Sequence, residues 1–457
     1  MSEVVATAQQ GLAGKYQPYP EYNDSGIEWL GRIPAHWQLV RLKHECVFSG
    51  GGTPTKDNLA YWGGDIPWIS PKDMKYQVIT DSIDKITAVA VSESSTKLVP
   101  EGALLMVVRS GILQRTIPVA INTFPVTLNQ DMKALRFKSK DKACFFLYYI
   151  QGLESQLLLE WCKQGATVES IEHELLANAR YPQPPNDELK AINQFLDYET
   201  VRIDRLIAKQ QRLIELLKEK RQAVISHAVT KGLNPDAPMK ESGVEWLGQV
   251  PEHWGVSALG YYAMLNTGAT PDRSKNQYWG GVIPWIKTGE VRYDTIYETE
   301  ETITQAALSE TSVRLSNPGT LLMAMYGQGM TRGRVAILGV SATYNQACVA
   351  INTNSKITND FLKFFFMAGY DALRDGGNET SQMNLNADIV SKFKILVPSY
   401  EEQNDIVSFL KVKLTHYDLL IIKSENSIAL MQERRTALIS AAVTGKIDLR
   451  GWEQPHA

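Results

Sequence analysis

SGIEWLGRIPAHW, from Ser25 to Trp37, returns as SGVEWLGQVPEHW from Ser242 to Trp254, at an offset of 217 residues. A block this long, with both tryptophans in register, marks a tandem duplication, and the rest of the chain is read in that frame. The same offset aligns YWGGDIPWI (Tyr61 to Ile69) with YWGGVIPWI (Tyr278 to Ile286), and Gly102 to Met106 with Gly319 to Met323. After a slip of one residue Asn129-Gln130 matches Asn345-Gln346. At offset 214, PPNDELKAINQFL (Pro184 to Leu196) answers PSYEEQNDIVSFL (Pro398 to Leu410), and EKRQAVISHAVT (Glu219 to Thr230) answers ERRTALISAAVT (Glu433 to Thr444). Between these blocks the halves diverge, as in RSGILQR (Arg109 to Arg115) against YGQGMTR (Tyr326 to Arg332). One scaffold therefore carries two sets of loops.

Each half opens with about 150 residues of short β-rich runs, turn signals such as Gly50-Gly51-Gly52, and an apolar helical stretch near Phe145 to Trp161. The second part of each half, 187–231 and 401–444, has almost no glycine or proline and reads as one long helix. Stepping alternately by four and three from Ile192 passes through Leu196, Glu199, Ile203, Leu206, Gln210, Leu213, Leu217, Lys220, Val224 and His227, a mostly apolar seam. The equivalent series from Ile406 through Leu410, Lys413, Tyr417, Leu420, Ser424, Ser427, Met431, Arg434, Leu438 and Ala441 is mostly apolar as well, with polar interruptions near its middle. A helix of about 44 residues spans roughly 66 Å and needs a partner for such a stripe. The fold class is α+β: two tandem domains of mixed sheet plus helices, joined by two long helices that pair as an antiparallel, pseudo-twofold coiled coil. Two separate helices, each packed on its own head, are the alternative.

The expected segments are an extension at 1–24, a first head at 25–183, a helix at 184–232, a linker at 233–241, a second head at 242–397, a second helix at 398–447 and a tail at 448–457. With 457 residues the chain exceeds what one core organises. Its first twenty residues do not read as a secretory signal, no apolar run approaches a membrane span, and the four scattered cysteines form neither a disulfide framework nor a zinc pair, so a reducing cytoplasm is expected.

The E-W-L-G-x-[IV]-P-x-H-W opening, the G-x-T-P turn (Gly51 to Pro54, Gly268 to Pro271), the I-P-W-I strand and the P-P-x-x-E type of helix start together resemble the specificity subunits of type I restriction-modification systems, over nearly the whole chain and twice. The resemblance implies two target recognition domains separated by spacer helices. It also implies a bipartite, asymmetric double-stranded DNA target with an unread gap set by those helices. Expected partners are two methyltransferase subunits and motor-nuclease subunits, which would hold S-adenosylmethionine, ATP and Mg; no cofactor, metal or catalytic residue is expected in this chain, and no membrane.

Base readout needs Arg, Asn or Gln, and phosphate contact needs Lys, Arg, Ser or Thr, so candidates are sought in the divergent loops. In the first head these are Lys56, Lys72, Arg109, Gln114, Arg115, Lys163, Gln164 and Thr167; in the second, Arg273, Lys287, Thr288, Tyr326, Gln328, Arg332, Arg334, Asn378 and Thr380. Trp29, Trp37, Trp68, Trp246, Trp254 and Trp285, repeated with apolar neighbours, read as core, and His36 and His253 as structural hydrogen-bonding groups. Asn129-Gln130 and Asn345-Gln346 fit either scaffold or DNA contact.

Catalytic readings fail on spacing. QPPN (Gln183 to Asn186) lacks the aromatic residue of an adenine methyltransferase element, and Gly445-Lys446 is followed by Ile447, not by the Ser or Thr of a phosphate loop. Glu188-Leu189-Lys190, superficially nuclease-like, reads as the solvated first turn of a helix, where acids favour the dipole. The rival class is a two-headed scaffold that tethers proteins; a net charge of -3 and the lack of a concentrated basic run favour it. Salt-independent DNA binding would favour it further.

Overall fold

A computed structural model of the chain describes residues 16–162, 169–327, 331–375 and 385–455. It divides into two compact units, 1–211 with 426–457, and 212–425, so each unit contains part of both long helices.

The first unit centres on a mixed five-stranded sheet in the order Cys46–Gly50, Met132–Phe137, Leu104–Val107, Val119–Asn122, Val78–Ile79, the last pair parallel and the rest antiparallel. The central run Leu104–Val107 is apolar throughout because both its faces are covered. Leu104 and Met106 enter a core with Phe145, Phe146, Tyr149 and Trp161 of helix α1 (Lys140–Trp161), while Leu105 and Val107 pack with Ile69 and Leu128 on the opposite face. That opposite layer is a three-stranded sheet in which Trp62–Ile69 pairs antiparallel with Asp84–Ile86 and parallel with Thr127–Leu128. The first long helix, α2, runs Asn186–Lys231.

The second unit repeats this plan: Ala263–Thr267, Cys348–Thr353, Leu321–Ala324, Val335–Leu338 and Thr295–Ile296 form its five-stranded sheet, and Trp279–Ile286 lies between Glu301–Ile303 and Thr343–Tyr344. Its counterpart of α1 is broken into α3 (Asn359–Ala368) and α4 (Tyr370–Asp375) around Gly369. The second long helix, α5, is Tyr400–Val443.

In the first unit the start of α2 lies along the end of α5 and the C-terminal segment beyond it: Phe195 packs edge-on against Trp452 and Asp204 pairs with Arg435 at 3.0 Å, so the partners run in opposite directions. In the second unit the end of α2 lies along the start of α5, with Arg221 bonded to Asp418 at 2.9 Å and Ile225 and Val229 sharing a core with Ile406 and Leu410. The antiparallel pairing expected from the sequence is thus present within each unit.

The seam needs one correction. Ile192, Leu196, Glu199 and Ile203 are buried as expected, but Leu206 and Leu213 are 44% and 42% exposed and Lys220 and His227 face solvent. Burial passes instead through Thr200, Ile203, Ile207, Ile214, Leu217, Ile225 and Ala228. In α5 it likewise moves from Lys413 to Leu414 and from Arg434 to Arg435. At its start each helix takes two steps of four before a three, through Ile192, Leu196, Thr200 and Ile203 and through Ile406, Leu410, Leu414 and Tyr417. A helix of 3.6 residues per turn drifts off a strict seven-residue repeat, and such an extra step of four takes up the drift.

Candidate nucleic-acid interface

In the first unit a cleft of about 680 Å³ opens between the G-x-T-P turn, the Trp62–Ile69 strand and the Asn129-Gln130-Asp131 corner. The turn is seated by its backbone: Gly52 N donates to Leu128 O at 2.8 Å, and Gly52 O accepts from Trp68 Nε1 at 3.0 Å and Thr96 Oγ1 at 3.1 Å. Trp62 Nε1 donates to Thr55 O at 3.3 Å, and Thr53 and Gln130 are joined through their side chains. One carboxylate ties down the opposite wall. Asp73 accepts from Ser70 N at 2.9 Å, Ser70 Oγ at 2.8 Å and Ile83 N at 2.8 Å.

Two of the candidate cations, Lys56 and Lys72, line this cleft and are exposed, with Asp84 and Asp131 on its walls. Arg109 is exposed next to the lining residue Ser110 and bridges to Ser170 through the backbone. Gln114 and Arg115 are exposed at the end of the Gly111–Gln114 turn and do not line the cleft. Lys163, Gln164 and Thr167 lie outside the described residues.

The second unit builds the same frame with different charges. Gln346 takes the place of Gln130 against Thr270, and Glu290 that of Asp73, accepting from Lys287 N at 2.7 Å and Glu300 N at 2.9 Å. Arg273 lies flat over Trp279, 3.9 Å from its ring centre, and 4.9 Å from that of Trp285, and is ion-paired with Glu301. Lys287 bonds Glu300 at 2.7 Å and Glu301 at 3.1 Å. These bonds raise the Lys287 ammonium above its ordinary pKa, and the Arg273 contact, then Lys287, hold the Glu301 carboxyl below its own. The positive groups here are already matched by acids, whereas Lys56 and Lys72 have no ion pair among the described residues. Thr288 is half-buried at the start of the Thr288–Glu290 turn, and Tyr326 packs partly against the core. Arg332 and Arg334 sit on the loop before Val335–Leu338, within a separate group of tyrosines and arginines. Gln328, Asn378 and Thr380 lie outside the described residues.

Trp37, Trp68, Trp254 and Trp285 are buried, as repetition with apolar neighbours implied; Trp29 and Trp246 are half-buried. His36 Nε2 and Trp37 Nε1 bond Glu188 at 2.8 and 2.9 Å, and His253 and Trp254 bond Glu402 at 2.8 and 3.1 Å. The reading of Glu188 as solvated is overturned: it is 6% exposed, because the tryptophan-histidine pair folds over the first turn of α2 and takes the carboxylate as its acceptor. Asn129 is buried and caps its own turn, accepting from Asp131 N at 3.0 Å, while its neighbour Gln130 is exposed at the cleft.

Sequence reasoning missed Asp73 and Glu290, whose shared offset of 217 was a usable signal, and Trp62 and Trp279, which stand edge-on to the buried Trp68 and Trp285. Among the described residues no group of three or more His, Cys, Asp or Glu side chains could hold a metal, and no helix is long and apolar enough to cross a membrane.

This duplicated frame matches a known family. The type I restriction modification DNA specificity domain aligns with residues 34–217 and again with 251–428, and the chain belongs to that family. It is 25% identical over 451 residues to the type I restriction enzyme MjaIX specificity subunit of Methanocaldococcus jannaschii, covering 95% of this chain and 98% of that protein. It is 38% identical over 179 residues to the EcoR124I/EcoR124II specificity subunit of Escherichia coli, covering 38% of this chain and 41% of that one. Among solved structures, the fold resembles a chain of a type I R-M system described for its complex assembly and conformational transition (TM-score 0.71, 14% identity, 90% of this chain and 98% of that chain). It also resembles the HsdS subunit of Thermoanaerobacter tengcongensis (TM-score 0.55, 15% identity, 91% and 98%).

Proposed function

We propose that this chain, a type I restriction-modification specificity subunit, reads a bipartite, asymmetric duplex target and catalyses nothing itself. The heads are 25–183 and 242–397. The helices 184–232 and 398–447 set the unread gap, 233–241 links the halves, and 1–24 and 448–457 flank them. Two methyltransferase subunits and motor-nuclease subunits would assemble on it in the cytoplasm and hold the S-adenosylmethionine, ATP and Mg.

The observation that carries the reading is one frame with two charge patterns: the Thr53–Gln130 and Thr270–Gln346 corners coincide, yet one holds unpaired Lys56 and Lys72 and the other an Arg273–Glu301–Lys287 network. A shared backbone with altered side chains at a base edge is what two different half-sites require. Lys56, Lys72, Arg109, Arg273 and Lys287 are the groups we place nearest DNA, joined by Gln130 and Gln346 at the corners. The net charge of -3 leaves part of the phosphate neutralisation to the partner subunits.

Methylated adenines in DNA from cells that carry the system test this directly. A split motif with unlike halves is expected, and a continuous or palindromic motif contradicts the proposal. Inserting one heptad into each long helix is expected to lengthen the gap and leave the bases of both halves unchanged; altered half-site bases would remove the helices from the role of ruler.

A further inference from the structure

The loop ahead of the strand Val335–Leu338 meets α4 in a group of side chains that has no likeness among the described residues of the first unit. Arg334 stands over the ring of Tyr293, 5.9 Å from its centre, and Arg374 over that of Tyr370 at 5.0 Å. The two rings pack edge to face with centroids 6.4 Å apart, Arg374 Nη1 donates to Tyr370 OH, and Arg332 Nη2 donates to Arg374 O at 3.4 Å. Gly333 turns the loop with φ 86°, backbone that residues with a side chain rarely adopt, and it lies against Arg374 and Tyr370. Tyr293 has φ 72°, a conformation adopted by no other non-glycine residue among those described, and its N–H is held by Val335 O at 2.9 Å. A bulky residue keeps such backbone only where its surroundings over-determine it, and strain of that kind concentrates at ligand-binding positions.

The first unit closes the same junction with the opposite charge. There Glu154 of α1 accepts from Thr116 Oγ1 at 2.6 Å and Ile117 N at 3.1 Å, and Pro118 precedes the strand where Arg334 precedes its counterpart. Tyr76, at the position of Tyr293, is 78% exposed. The arginine group is therefore not part of the shared frame. Among the described residues neither Arg334 nor Arg374 has a carboxylate at ion-pair distance. A guanidinium laid on an aromatic face keeps its N–H edges available, and a half-buried pair of them invites an anion that two planar forks can grip.

We infer that Arg334 and Arg374, set on Tyr293 and Tyr370, are a phosphate clamp for the DNA backbone, present in the second head alone. The inference rests on the reading of this chain as a DNA-reading subunit. Burial pushes the Tyr293 phenol up to about 12, with Arg334 and Arg374 pulling it down and Asp371 pushing it up, so the phenol itself adds no negative charge beside the arginines at physiological pH.

The test is equilibrium binding of duplex DNA by the complex reconstituted with the full chain, across a series of salt concentrations. Arg334→Gln and Arg374→Gln are each expected to weaken binding about eightfold at about 0.1 M salt and to lower the log-log salt slope by about 0.9. The methylated motif should be unchanged, and Arg334→Lys and Arg374→Lys should keep most of the slope. Unfolding midpoints close to wild type separate this result from misfolding. An unchanged slope overturns the inference, and so does a change in the second half of the motif, which would make these arginines base readers. A wild-type complex whose DNA binding ignores salt would instead overturn the DNA-reading role on which the clamp depends.

Discussion

Gly51→Ala is expected to abolish reading of the first half-site while leaving the second intact, and Gly268→Ala to do the reverse. A Cβ on Gly51 would lie 1.9 Å from Asn129 O and 2.5 Å from Leu128 O; on Gly268 it would lie 2.1 Å from Tyr344 O and 2.3 Å from Asn345 O. These obstacles are main-chain carbonyls at the end of a strand and cannot swing aside as a side-chain end would. The turn must move instead, and with it go the bond from Gly52 N to Leu128 O, the Trp68 indole bond and the Thr53–Gln130 contact. Overpacking of this kind costs about 1–3 kcal/mol, which lowers a midpoint by about 2–12 °C in a unit of about 200 residues. The chain should stay folded. Recognition should suffer far more, because each bidentate base contact contributes about 1–3 kcal/mol of discrimination and depends on placement to a fraction of an ångström. Binding to duplexes mutated in one half-site at a time measures the effect: the Gly51→Ala complex should no longer distinguish first-half variants, with affinity for the intact site down about a hundredfold. Equal loss of discrimination in both halves would show that the turns do not serve separate readers.

Those glycines were legible in the sequence because backbone constraints repeat. Where main chain approaches main chain most closely the two halves carry the same residue, as in Gly51 and Gly268 or Gly64 and Gly281, and the indoles of Trp68 and Trp285 that hold the turns repeat as well, so the repeated blocks alone outlined the frame. Both long helices were legible for the same reason. Their buried stripe was not fully so, because the choice between a 4-3 and a 4-4-3 step depends on whether the helices bend to follow a heptad, which is a property of the pair. The site was legible only in outline. Lys56, Lys72, Arg273 and Lys287 follow from loop divergence, but the acids that neutralise two of them, Glu300 and Glu301, come from another strand and only the folded chain brings them near. Arg374 escaped notice because its significance lies in Tyr293 and Arg334, which are distant in sequence. Asp73 and Glu290 escaped because an acid in a loop reads as solvated until its main-chain and hydroxyl donors are seen.

Glu188→Ala should destabilise the first unit by about 3–5 kcal/mol, at least twice the cost of Glu402→Ala in the second. Both carboxylates begin a long helix, where the exposed N–H groups favour negative charge, and both accept from a histidine and a tryptophan. They differ in burial. Glu188 is 6% exposed and also accepts from Tyr19, itself 3% exposed, so its removal strands the Trp37 indole and the Tyr19 hydroxyl away from water. A buried donor left unsatisfied costs about 1–3 kcal/mol, and two are created. The Glu402 side chain is 35% exposed, so water can replace it at His253, and only one buried donor, the indole of Trp254 at 1% exposure, is left without its acceptor; the loss should be about 1–2 kcal/mol. Burial tends to raise the Glu402 carboxyl, but bonds from His253, Trp254 and Ser399 outweigh it and hold the group below its ordinary range. A depressed folded value means that its stabilisation is present above the unfolded pKa of about 4.3 and is lost as pH falls through the lower folded one. Denaturant unfolding followed separately in each unit, at neutral pH and near pH 4, checks both claims. The neutral-pH gap between the two variants should be about 2–3 kcal/mol, and wild type should lose the Glu402 contribution only on the acid side. If the variants prove equally costly, the tyrosine-tryptophan knot at the start of α2 does not hold the first unit together in the way its burial implies.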